Sequence, residues 1–163
     1  YMEKKIIISK KKLGKKKNKQ HWNNKEYLFD DKNHITIINQ IFLDQQFEGN
    51  KCVKRELNKK IASYKQQDLK KKKYHSNDFI KINELIEKLV VSKLKCFYCR
   101  QKVLLLYDLI RDDTQWTLDR IDNNKQHTYE NCVICCLKCN LQRRCLDDKK
   151  FLFTKQMRLI KKN

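Results

Sequence analysis

Two Cys-x-x-Cys pairs, Cys96-Phe-Tyr-Cys99 and Cys136-Leu-Lys-Cys139, constrain this chain more than any other feature. Four thiolates brought together make the tetrahedral site that zinc prefers, and two short turns supply it when they face each other. A second register, Cys132/Cys135, is also open for the later pair. Cys136/Cys139 is preferred because its turn then follows a strand and opens a helix. Cys132 and Cys135 would fall inside that strand as free core thiols. Eight cysteines also suit a secreted disulfide scaffold, but six of them crowd into 96–139 as tight pairs amid Lys-rich sequence. That setting favours metal over disulfides and an intracellular compartment, nuclear, cytoplasmic or viral. Cys52 and Cys145 have no evident partner.

The net charge of +20 over 163 residues is unevenly spread. Residues 1–20 carry nine Lys/Arg against one Glu, 51–74 carry ten against two, and 149–163 carry six against none. The surplus therefore sits in three segments around a nearly neutral remainder. Nucleic acid is the partner such charge fits best, since each neutralised phosphate releases counterions. A solvated Lys-rich surface is the plainer alternative. No apolar run approaches the roughly 20 residues of a bilayer span, so no membrane role is expected. Tyr1 in place of Met suggests a fragment or processed product.

Residues 1–20 read as a flexible basic arm in which Ile6-Ile7-Ile8 could form a short strand. Residues 21–76 read as a basic, mainly helical extension. Within it, Ile35 to Leu43 fits a short helix or a strand, and 53–73 reads as a basic helix with a thin stripe of Leu57, Ile61, Tyr64 and Leu69. That helix either follows a phosphate backbone or faces solvent. Residues 77–148 read as the module that carries the chemistry. Asn77 or Asp78 would cap a core helix to about Lys93, with Ile80, Leu85, Ile86, Leu89, Val90 and Leu94 at helical spacing. Gln115–Ile121 and Asn131–Cys135 read as strands around a polar loop, and a helix opens at Asn140. Trp116 reads as core packing. Residues 149–163 read as a basic tail.

Between the cysteine pairs stand Leu118-Asp119-Arg120-Ile121-Asp122, Asn131 and, at the end, Cys136-x-x-Cys139-Asn140-x-x-Arg143. This ordered set resembles the ββα-metal core of HNH endonucleases, in the zinc-stapled group with Cys-x-x-Cys at both ends. It is similar to HNH proteins of large DNA viruses and mobile elements. The resemblance covers about Lys95–Cys145. It implies an α+β fold, a ββα-metal (His-Me finger) module stapled by a four-cysteine zinc on Cys96, Cys99, Cys136 and Cys139, preceded by helices and the basic arm. It also implies hydrolysis of nucleic-acid phosphodiester bonds, DNA first, leaving a 5′-phosphate.

By the same resemblance, Asp119 and Asn140 would hold one catalytic Mg²⁺ or Mn²⁺. An aspartate with an amide oxygen makes the hard, incomplete shell that Mg²⁺ accepts. Asn131 would brace the loop through backbone hydrogen bonds. Arg143, with Arg144 and Lys138, would contact phosphate. The family carries a histidine beside the aspartate to activate water, and here that residue is Arg120. A guanidinium stays protonated, so Arg120 suits a phosphate clamp rather than a base. His127 is the only histidine of the module and the first candidate base, against a plain loop residue. Asp122 is the second, against a turn cap. The alternative to an enzyme is a degenerate HNH-fold zinc protein that binds nucleic acid or serves in a larger nucleoprotein assembly.

Overall fold

The computed structural model describes Trp22 and residues 24–157. The basic arm, its Ile6–Ile8 strand and the last residues of the basic tail lie outside the described residues.

The order of elements is α1 (Lys25–Phe29), α2 (His34–Phe42), α3 (Asn50–Lys70), α4 (Ile82–Val91), β1 (Trp116–Arg120), β2 (Cys132–Cys136), α5 (Leu137–Arg143) and α6 (Asp148–Gln156). The architecture is α+β, with one small sheet among the described residues. The isoleucine run left open between helix and strand forms α2. Ile37, Ile38 and Ile41 fall on one face of it and are buried where α2 packs against α4. That spacing of three and four suits a helix, not the alternation of a strand.

The core helix before the first cysteine pair starts later than its sequence suggests. Asn77 and Asp78 lie in a turn, and Lys81 precedes the first residue of α4. Glu84 Oε2 accepts from the Lys81 backbone N–H at 2.7 Å, so the acid of the first turn ties down the start of the helix and the side chains at 77 and 78 do not cap it. The tail also differs, because 148–156 is helical. Phe151 is buried there and sets its ring 4.9 Å from that of Tyr98, edge to face.

The two strands pair antiparallel, with Leu118 opposite Ile134 and Asp119 opposite Val133. A two-stranded sheet leaves β1 with an unpaired edge, whose polar groups need partners. Helix α3 supplies them. Lys60, Tyr64 and Asp68 recur every four residues on one helical face. The Lys60 ammonium donates to the Trp116 carbonyl, the Tyr64 hydroxyl accepts from the Leu118 N–H at 3.0 Å, and Asp68 accepts from the Arg120 guanidinium at 3.3 Å. Thus α3 is neither a free solvent-facing helix nor one held only by apolar contacts. Its stripe runs through Val53, Leu57, Tyr64 and Asp68, while Leu69 is exposed. At its start Gly49 has φ 97°, and a Cβ there would meet Leu28 Cδ1 at 2.7 Å.

His34 ties the helical half to the module. It is fully buried, and its Nδ1 accepts from the Leu105 backbone N–H at 3.1 Å. Nε2, 3.1 Å from the Leu28 carbonyl, must then carry the proton and donate. Burial pushes its pKa below the ordinary value of 6.5, against the pull of the Leu28 carbonyl. A depressed histidine means that the unfolded chain binds the extra proton first, so its stability contribution is lost as pH falls below 6.5. Urea titrations of the native chain and His34→Gln should therefore diverge, the native chain losing up to about 1.4 kcal/mol more per pH unit on that limb. Parallel pH curves would show that His34 does not titrate on unfolding.

Candidate functional site

The four cysteines of the preferred register come together. Cys96 and Cys99 stand on a turn fixed by Cys96 N–H to Gln101 O at 2.8 Å and Arg100 N–H to Cys96 O at 3.0 Å. Cys136 ends β2 and caps α5, its sulfur accepting from the Cys139 N–H at 3.4 Å. All four sulfur atoms lie within 4.8 Å of one another, and Cys99 and Cys136 are 3.9 Å apart. Zn–S bonds of about 2.3 Å require sulfurs about 3.8 Å apart, so this cluster could hold a structural zinc. Cys132 and Cys135 are buried thiols within β2, and burial pushes both upward in pKa.

Asn140 lies inside α5 and not at its start, because the helix begins at Leu137 under the Cys136 cap. Its amide nitrogen donates to Thr117 Oγ1 at 3.1 Å and to the Leu118 carbonyl at 3.2 Å. That leaves its oxygen without a partner among the described residues. Asn131 accepts from the Asp122 N–H at 2.8 Å and donates to the carbonyls of Asp122 and Gln126, both at 3.0 Å, which closes the loop between the strands. Asp122 accepts from the Asn124 N–H at 2.8 Å, as a turn cap does.

Asp119 is buried and heavily engaged. Its Oδ2 accepts from the Tyr98 hydroxyl at 2.6 Å and from Arg143 Nη1 at 2.8 Å, and its Oδ1 accepts from the same nitrogen at 2.9 Å. Burial nevertheless pushes the carboxyl above its ordinary pKa, with Tyr98 and Arg143 acting against it. Of roughly four lone-pair directions, one on Oδ1 is left for another ligand. Arg143 corrects the sequence reading. It is 1% exposed, and it also donates to the carbonyls of Arg120 at 2.6 Å and Ile121 at 2.7 Å. A guanidinium buried in this way, with both terminal nitrogens bonded inside the fold and Nε buried without a partner, is an internal strut and not a surface phosphate contact. Lys138 is exposed but stands apart from the cleft described next, whereas Arg144 lines it.

That cleft, of about 920 Å³, opens between α3 and the unit formed by β1, β2 and α5. Asp119, Arg120, His127 and Asn140 all line it, together with Lys60, Lys71, Lys73 and Arg144. Arg120 is 7% exposed, with Nη1 held between Asp68 and the Lys125 carbonyl. Lys60 lies over the Trp116 ring at 4.1 Å, and burial pushes its pKa down to about 7. His127 is 3% exposed, with Nδ1 2.8 Å from Asp68 Oδ2.

Sequence reading singled out neither Asp68 nor Tyr98. Asp68 had a signal, a carboxylate four residues beyond Tyr64 on an otherwise apolar stripe. Tyr98 had none beyond its place inside a Cys-x-x-Cys turn. Compared with protein-family models, with curated proteins and with solved structures, the chain matches none.

Proposed function

We propose that this chain is a metal-dependent endonuclease that hydrolyses nucleic-acid phosphodiester bonds, DNA first, on a zinc-stapled HNH-like ββα module. One observation carries the reading: Asp119 and Asn140 open onto one cleft whose other charged walls are almost all cationic. A lone oxygen-donor pair among lysines and arginines is poorly suited to a cationic or apolar ligand and well suited to a phosphodiester.

The donor chemistry fits a small hard cation. The unpartnered Asn140 oxygen and the remaining Oδ1 direction of Asp119 would hold it, with water and phosphate oxygens completing the shell. When bound, Mg²⁺ or Mn²⁺ would stabilise the charge that develops on the phosphoryl and leaving oxygens. The chain's own residues do the rest. Arg120, held by Asp68, presents its remaining guanidinium N–H groups to a phosphate. Lys71 and Arg144, which make no ion pair among the described residues, supply backbone attraction at the rim. Asn131 keeps the loop from swinging into the cleft.

Nicking of supercoiled plasmid by the full chain with Mg²⁺ or Mn²⁺ tests this reading. Metal-dependent nicking that falls by about 10²-fold or more in Asp119→Ala is the expected result. A specific observation favours a second reading, a retired site that binds nucleic acid without cutting it: Asp119 is occupied by Arg143 and Tyr98, and Arg120 replaces a base. A native chain that binds plasmid but never nicks it, with cutting restored by Arg120→His, would establish that second reading instead.

A further inference from the structure

Asp68 is a fully buried carboxylate contributed by α3, outside the strand–strand–helix unit. Its Oδ2 accepts from the His127 backbone N–H at 2.8 Å and faces His127 Nδ1 at the same distance, while Oδ1 holds Arg120 at 3.3 Å. A carboxylate acceptor beside Nδ1 places the ring proton there, leaving Nε2 with a bare lone pair. Nε2 has no partner among the described residues, and His127 lines the cleft beside Asp119 and Asn140. The Tyr64 ring, 4.8 Å away and tilted by 36°, fixes the plane of the imidazole. Tyr64 is itself held by the Leu118 N–H. A histidine oriented through Nδ1 by a buried carboxylate, with Nε2 unpartnered and the residue lining the cleft, is the arrangement of an acid-oriented general base.

We propose that His127 is the general base of the hydrolysis and that Asp68 is its positioning residue, delivered by a helix from outside the module. This inference rests on the endonuclease reading. In the step, the water oxygen forms its bond to phosphorus as its proton passes to His127 Nε2. A bridging P–O bond breaks, its electron pair stays on the departing oxygen, and that oxygen takes a proton from solvent. Asp68 thereby serves two ends at once, since its other oxygen aims the Arg120 guanidinium. The groups that face the imidazole are Asp68 and Tyr64 on α3 and Arg120 on β1, with Lys71 nearby. Burial pushes the pKa of His127 down and so favours the neutral ring, with Asp68 pulling the other way.

The test is plasmid nicking by the full chain with Mn²⁺, comparing native, Asp119→Ala, His127→Ala, His127→Gln and Asp68→Asn. His127→Ala should lower kcat by about 10²–10⁴-fold with KM nearly unchanged, and added imidazole should restore part of it. Asp68→Asn keeps the shape and the backbone contact but loses the charge, and should lower kcat about 10–100-fold. The acid limb of the native kcat/KM profile should vanish in His127→Gln. Zinc content and circular dichroism identify any variant that has simply unfolded, in which case Asp68→Asn decides. Nicking abolished by Asp119→Ala but untouched in kcat by folded His127→Gln and Asp68→Asn would overturn the dyad and leave the endonuclease reading intact. A native chain that never nicks would overturn both.

Discussion

Stripping metal from the full chain with a strong chelator is expected to unfold the unit spanning roughly residues 95–145. Four thiols this close cannot all ionise by themselves. The hydrogen bond from Cys136 pulls Cys96 down to about 4. Cys136 is pushed far up by that same partnership and by burial, and Cys139 rises to about 12 through burial and the Cys96 charge. Without a cation the cluster therefore holds on to protons, and three of its four sulfurs are buried. Zinc would bind all four as thiolates and release their protons, so affinity should fall as pH falls. Structural zinc sites contribute about 10–16 kcal/mol, comparable with or above the whole stability of a small domain. The consequence travels beyond the sulfurs. Tyr98 stands between Cys96 and Cys99, donates to Asp119 and packs on Phe151, so loss of the turn takes one partner from a cleft carboxylate and one from α6. Trp116, 1% exposed, should become solvent-exposed by fluorescence, and proteolysis should cut within 95–145. A chelated chain with native fluorescence and protease resistance would rule the structural zinc out.

What could be read from the sequence follows from how local each cause is. The cysteine turns, the loop residues and the strand pair lie within about fifty consecutive residues, and the spacing of the cysteines alone points to a metal. Helical periodicity of Leu85, Ile86 and Leu89 is likewise local, so α4 was visible even though its cap was misplaced. The long-range pairings were not visible. Asp68 meets Arg120 and His127 across more than fifty residues, and its place four residues beyond Tyr64 marks it as facing inward but not which partners it meets. The same blindness misassigned Arg143. An arginine one turn beyond Asn140 looks like a surface cation, yet the short α5 packs on β1 and points it into the fold. Basic composition leaves α3 either following a phosphate backbone or facing solvent. Its inward face completes the edge of β1, a long-range contact that composition does not show, and a cleft opens along it.

Arg143→Leu should be the most costly single substitution outside the cysteines. The guanidinium bonds both Asp119 oxygens and the carbonyls of Arg120 and Ile121, so its removal leaves a buried carboxylate, a buried carbonyl and a part-buried one short of donors. Breaking a buried pair from one side costs about 3–5 kcal/mol, because the other charge stays behind uncompensated. The pH dependence separates this cause from lost packing. Burial already raises the Asp119 pKa, and Arg143 is among the groups that hold it down, so the variant raises it further. A carboxyl whose folded pKa exceeds its unfolded one binds more protons when folded, so folding then weakens as pH rises through that range. The deficit of Arg143→Leu against the native chain should therefore be greatest at neutral pH and shrink on acidification, as Asp119 becomes neutral and keeps only its Tyr98 contact. Adding Asp119→Leu to Arg143→Leu should recover part of the loss at neutral pH, a coupling that a double-mutant cycle in urea measures directly. A deficit that is constant with pH and additive in the double variant would mean that Arg143 acts by filling space and not by neutralising Asp119.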